Sequence, residues 1–161
     1  FNELDISDYK TFFKLKPPLR SETDRLATIE AVRDGTIDIV SSMHTPQDEE
    51  SKRLPFEEAA SGAIGLETIL TAMLRLYHSN QLQMDQIFTA ISLNPAKRLG
   101  ISGGLLSHNE PADLVIFDAD KPFVLERERL HSKVKNTPFD GQKLQGRVLK
   151  TFVQGREVFS V

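Results

Sequence analysis

The chain has 161 residues, 39% hydrophobic and 27% charged, with a net charge of −3, the composition of an ordinary soluble globular protein with one sizeable core or two small ones. No basic excess marks a nucleic-acid surface, and no apolar run approaches the ~20 residues that span a membrane. The absence of cysteine excludes disulfides and thiolate metal sites and fits a reducing cytoplasm.

Taken in chain order, residues 1–20 read as loop or irregular strand closed by "KPPLR", where Pro17 and Pro18 oppose a helix. A helix follows. Ser21 is its N-cap, Glu22 and Asp24 lie in the first turn, and Leu26, Ile29 and Val32 give an apolar stripe. Asp34-Gly35 stops it, and "IDIVSS" reads as a short buried strand. Helix, tight turn and strand form the αβ half of a βα repeat. Residues 44–58, with Pro46 and Pro55, read as a polar loop. Amphipathic helices are predicted at about 65–79 and 83–92, and "NPAKRLG" is a short third one stopped by Gly100. The stripe Leu66, Ile69, Leu70, Met73, Leu74, Tyr77 is core packing. "PADLVIFD" and "PFVLE" are strand-like, and "LQGRVLKTFVQGREVFSV" alternates around a hairpin turn at Gln154-Gly155. The chain starts at Phe1 rather than Met, as a piece of a longer protein does. No signal peptide is visible.

The motifs "KPPLR", "DGTIDIVSSMHTP", "LPFEEAASGAIGLET", "NPAKRLG", "PADLVIFD" and "NTPFDGQKLQGRVLKTFVQGREV" occur in one order from about residue 9 to 161. Together they resemble the C-terminal part of a bacterial, long-chain-type dihydroorotase, within the amidohydrolase superfamily. "ADLVIFD" alone is shared with hydantoinases and allantoinases; the "NTPF" ending tilts the set towards dihydroorotase. The resemblance implies an α/β fold: the C-terminal part of a (β/α)8 metallo-dependent hydrolase barrel over residues 1–103, then the C-terminal strands of a small β-sandwich over 104–161.

It also implies a zinc-dependent hydrolase of pyrimidine biosynthesis that interconverts dihydroorotate and N-carbamoyl-aspartate. Zinc would lower the pKa of a bound water, and a carboxylate at the end of the eighth barrel strand would shuttle its proton. Most zinc ligands are expected upstream of residue 1, so this fragment alone is expected to be inactive.

The implied eighth strand is "IDIVSSMH", and Met43 stands where the family has Asp. A thioether has no proton to give, and as a ligand it suits soft metals. Asp48 and Glu49 could stand in only if their loop folds inward. His44 matches a family His, either supporting the strand end or ligating directly; the upstream histidines favour support. Gln47 stands where a substrate-contacting His is common, and Lys16 where an Asn contacts substrate. Lys16 either pairs with a carboxylate or is solvated. Ser61 and Gly62 match a stretch whose backbone contacts substrate, although Gly62 and Gly65 also suit turn positions at the entry to the next helix. Arg20 is either a substrate-side cation or a helix-entry residue, and the structural role is favoured. His78, His108 and His131 have no ligand spacing, and Asn109 takes a position usually held by Gly, whose positive φ it tolerates.

Three further expectations follow from the resemblance. The partners are a small-molecule substrate, the rest of the barrel, and either a second copy or aspartate carbamoyltransferase. The location is cytoplasmic. A second reading is a catalytically impaired, dihydroorotase-like structural partner of that transferase.

Overall fold

The computed structural model describes residues 1–161. The chain folds as two compact units that interleave in sequence. One contains Phe1–Glu30, Ser42–Ile69 and Val124–Lys143; the other contains Ala31–Ser41, Leu70–Phe123 and Leu144–Val161. No helix is long and apolar enough to cross a membrane.

The first unit is mostly irregular chain tied by side chains. Helix α1 (Glu22–Arg33) starts where predicted: Ser21 Oγ accepts the Asp24 N–H at 3.1 Å, which satisfies one of the helix's orphan donors. No residue of α1 is fully buried, and Leu26 of its apolar stripe is 46% exposed. The polar loop at 44–58 contains a helix that was not predicted, α2 (Glu49–Arg53). Asp48 caps it by accepting the Ser51 N–H. A five-residue, charged helix has no apolar period to read; only its cap marks it. Ala59, Ile64 and Leu125 are buried in this unit. Phe1 stacks edge-on against Phe13 and tilts against Phe139.

The second unit is built on α3 (Ile69–His78), α4 (Met84–Phe88), α5 (Asn94–Leu99) and strands β1 (Leu114–Val124), β2 (Lys143–Val153) and β3 (Arg156–Ser160). Leu74, Leu82, Ile87, Ala90 and Leu144 form its buried core. The stripe predicted on α3 holds at Met73 and Leu74. Leu66 falls in the turn before the helix and is 65% exposed.

Between α4 and α5 the helix widens into a π turn over Thr89–Leu93. Pro95 explains it. A proline ring clashes with the carbonyl four residues back and supplies no N–H. Asn94 N–H therefore reaches to Thr89 O, and the Ala90 carbonyl is left for Val40 N–H at 3.0 Å. Asn94 Nδ2 adds a bond to Asp38 O at 2.8 Å.

That docking corrects one expectation. "IDIVSS" is extended but forms no strand, and its residues are half-buried or exposed. A strand needs a ladder partner, whereas the N–H groups of Ile37 and Val40 go to the Ala31 and Ala90 carbonyls of helical segments.

The sheet has the order β1-β2-β3. The two strand-like stretches "PADLVIFD" and "PFVLE" merge into the single β1. β2 and β3 pair antiparallel, with Val153 opposite Arg156 and a bulge between Thr151 and Phe152. Gln154 (φ 50°) and Gly155 (φ 77°) both take positive φ, the pattern of a two-residue type I′ hairpin. Asn109 also lies at positive φ.

Candidate active site

All candidate site residues lie in the first unit, and backbone pairing assembles most of them. Thr45 N–H donates to Ala63 O at 2.8 Å, so residues 43–47 run beside residues 61–65. Across this pairing His44 Nδ1 accepts the backbone N–H groups of Gly65 (3.0 Å) and Leu66 (3.3 Å). Both partners can only donate, so the ring's hydrogen sits on Nε2. In that tautomer His44 braces the turn before α3 and offers no lone pair to a metal.

Gln47 Nε2 donates to Ser61 O at 3.0 Å, and Gln47 N–H to Asn136 Oδ1 at 3.3 Å. Asn136 completes the bridge: its Nδ2 donates to Gly62 O and its own carbonyl accepts from Ile64 N–H. Gly62 N–H is spent on Lys14 O at 2.9 Å, which draws the arm ending at Lys16 to the same place. The structure thus brings His44, Gln47, Ser61 and Gly62 into one constellation. Lys16 is exposed, two residues beyond the bonded Lys14.

Met43 is 59% exposed and has φ 43°. Neither nearby carboxylate replaces the acid that the resemblance expects there. Asp48 is the cap of α2, where the Ser51 N–H holds its carboxyl below the usual range. Glu49 is paired with Arg53 at 2.7 Å. Arg20, exposed, contributes its carbonyl to Glu3 N–H.

Sequence reasoning missed three buried or bonded groups. Asn136 is 3% exposed and Lys52 4%. The third is Glu67, which accepts the His131 and Ser132 backbone N–H groups and sits 3.0 Å from His131 Nδ1. Only "NTPF" and "GLET" marked two of these positions, and they did so without a role. Burial works against ionising Glu67, but these donors prevail and its carboxyl lies below its ordinary value of 4.5. The sign follows: a lowered carboxylate contributes stability that is complete above the unfolded value and lost as pH falls through the folded one. The thermal midpoint of the full-length protein should therefore drop on acidification below about pH 4.5 by more than that of Glu67→Gln. Parallel pH profiles would rule this out.

No three His, Asp or Glu side chains come together to hold a metal ion. His78 ends α3 with Nε2 donating to Ala119 O, His131 is engaged with Glu67, and His108 lies exposed in a turn. The residues present do not fit a zinc site by themselves.

Residues 10–158 match the amidohydrolase family. The chain is 43% identical to the dihydroorotase of Desulforapulum autotrophicum over 154 residues, covering 96% of this chain and 36% of that protein. It is 41% identical to the dihydroorotase of Lactococcus lactis, with 96% and 36% covered. Among solved structures, the L-hydantoinase (dihydropyrimidinase) of Arthrobacter aurescens matches with a TM-score of 0.93 at 30% identity, over 99% of this chain and 37% of that one. A D-hydantoinase (dihydropyrimidinase) of Thermus sp. matches with a TM-score of 0.84 at 24% identity, a likeness of fold. The chain spans about a third of the length of the curated relatives it matches. The expected fold, the C-terminal part of an amidohydrolase barrel with its appended strands, holds.

Proposed function

Since the chain belongs to the amidohydrolase family, we propose that it is the C-terminal share of a dihydroorotase-type cyclic amide hydrolase. The observation that carries this reading is the pairing of 43–47 with 61–65. It gathers the residues that the dihydroorotase resemblance assigns to substrate: Gln47, Ser61 and Gly62, with Lys16 on the adjoining arm. Residues 1–103 are assigned to the barrel and 104–161 to the sandwich.

The substrate chemistry suits these groups. Dihydroorotate and N-carbamoyl-aspartate carry carboxylates, which the Lys16 ammonium can pair. Gln47 spends its amide N–H on Ser61 O and keeps its side-chain carbonyl for a ligand N–H. His44 braces the pairing and binds no metal. Zinc, when bound, supplies an activated water, and we place its ligands on the portion of the family's length that this chain does not span. The chain alone is then inactive. A cytoplasmic location and assembly with the rest of the barrel and a second copy complete the proposal.

The test is turnover by the full-length protein, with dihydroorotate and N-carbamoyl-aspartate separated by chromatography and hydantoin and allantoin as comparison substrates. Conversion of dihydroorotate in preference to the others is expected; preference for hydantoin would sink the assignment. Met43 favours a second reading, a catalytically impaired member that binds these compounds and acts as a structural partner of aspartate carbamoyltransferase. Binding without turnover, together with co-purification of that enzyme, would establish it.

A further inference from the structure

Lys52, in α2, is buried with no carboxylate beside it. Its Nζ donates instead to three backbone carbonyls: Ala60 O at 2.8 Å, Thr11 O at 2.9 Å and Lys14 O at 3.3 Å. Thr11 Oγ1 answers with a 2.6 Å bond to Lys52 O. Burial pushes the ammonium down to about 8, and the charge of Lys14 adds to the effect. Three charge-assisted hydrogen bonds offset the cost of burying this ion. An ammonium offers three donors on one compact atom, which suits carbonyls converging from two separate segments.

Those two segments are the ones that matter for the proposed ligand. Thr11 and Lys14 belong to the arm that carries Lys16, and Ala60 immediately precedes Ser61 and Gly62. The Lys14 carbonyl held by Lys52 also takes the Gly62 N–H. Lys14's own ammonium points elsewhere, to Phe56 O and Glu57 O, both at 2.8 Å. Lys14 grips Phe56 and Glu57, and Lys52 sets Ala60 against the arm.

We infer that Lys52 is a positioning residue: its ammonium sets the register between the Lys16 arm and the Ser61–Gly62 stretch, so that both meet one carboxylate-bearing ligand. This rests on the reading of Lys16, Ser61 and Gly62 as ligand contacts. The test uses the full-length protein, calorimetric titration with dihydroorotate and N-carbamoyl-aspartate, and amide hydrogen exchange.

Lys52→Met should weaken binding by about tenfold to a hundredfold, the scale of a small misplacement, and speed exchange at Gly62. Arg53→Met is the control. It breaks the exposed ion pair with Glu49 on the same helix and should leave affinity and Gly62 exchange in place. Equal losses of affinity in the two variants would overturn the inference, as would unchanged Gly62 exchange in Lys52→Met. Should Lys52→Met fail to fold, Lys52→Gln, with two donors on a shorter arm, is expected to lose affinity too; full affinity there would overturn it. A natural protein that binds neither compound would refute the dihydroorotase reading instead, and Gly62 exchange would still decide whether Lys52 holds the register.

Discussion

Full-length Met43→Asp is expected to open the ring of dihydroorotate about 10²- to 10⁴-fold faster than the natural protein, the range that a positioned proton-transferring group contributes. The resemblance puts a carboxylate at this position. The thioether of Met43 neither gives nor accepts a proton near neutral pH. Finally, Asp48 and Glu49, the carboxylates nearest in the loop, are engaged at α2.

The backbone is ready for the change. Met43 sits at φ 43°, in the left-handed region that costs most side chains about 1–2 kcal/mol and that Asp tolerates better. The substitution should therefore leave the melting temperature unchanged or raise it, so a gain in rate cannot be attributed to altered folding. The rates of natural and variant proteins on dihydroorotate, with their thermal melts, decide the matter. An unchanged rate would mean that Met43 does not limit the site and would favour the structural-partner reading.

The features that sequence resolved well are local ones. Ser21 caps the next turn through its own side chain. Gln154-Gly155 encodes its hairpin in two residues, and Asn109 tolerates its positive φ because of its own chemistry. The features that escaped depend on partners far along the chain. "IDIVSS" has the composition of a strand, yet strand identity is a property of a pair. The π turn carried a local sign in Pro95, but its docking needed knowledge that Val40 would claim the Ala90 carbonyl. Lys52 is one charged residue in the polar run "DEESKR", with nothing to show that carbonyls from residues 11, 14 and 60 would enclose it. In the candidate site, position was legible at His44, Gln47, Ser61 and Gly62 through the family pattern. The bonds that hold them, through Asn136 and Lys52, were not.

Gly62→Ala is expected to destabilise the full-length protein by roughly 3 kcal/mol, combining a strained backbone with an overpacked contact, and to abolish ligand binding at the same time. Gly62 has φ 131°, a conformation open to glycine and strained for alanine. Space is also lacking: a Cβ there would stand 2.7 Å from Thr45 O and 2.8 Å from Thr45 Cγ2. Thr45 is the residue whose N–H pairs with Ala63 O, so relieving the clash means prising 43–47 away from 61–65. That separation would carry His44 off Gly65 and Gln47 off Ser61, dismantling the constellation rather than one contact. Gly141→Ala separates the two contributions. Its φ of 74° is also positive, but a Cβ there meets nothing within 4 Å, so it should cost only about 1 kcal/mol of backbone strain and leave binding intact. Chemical denaturation of the two variants, with calorimetric titration of dihydroorotate, checks both expectations. Equal destabilisation would show that the close approach of Thr45 contributes nothing, and the pairing that the proposed site depends on would lose its main support.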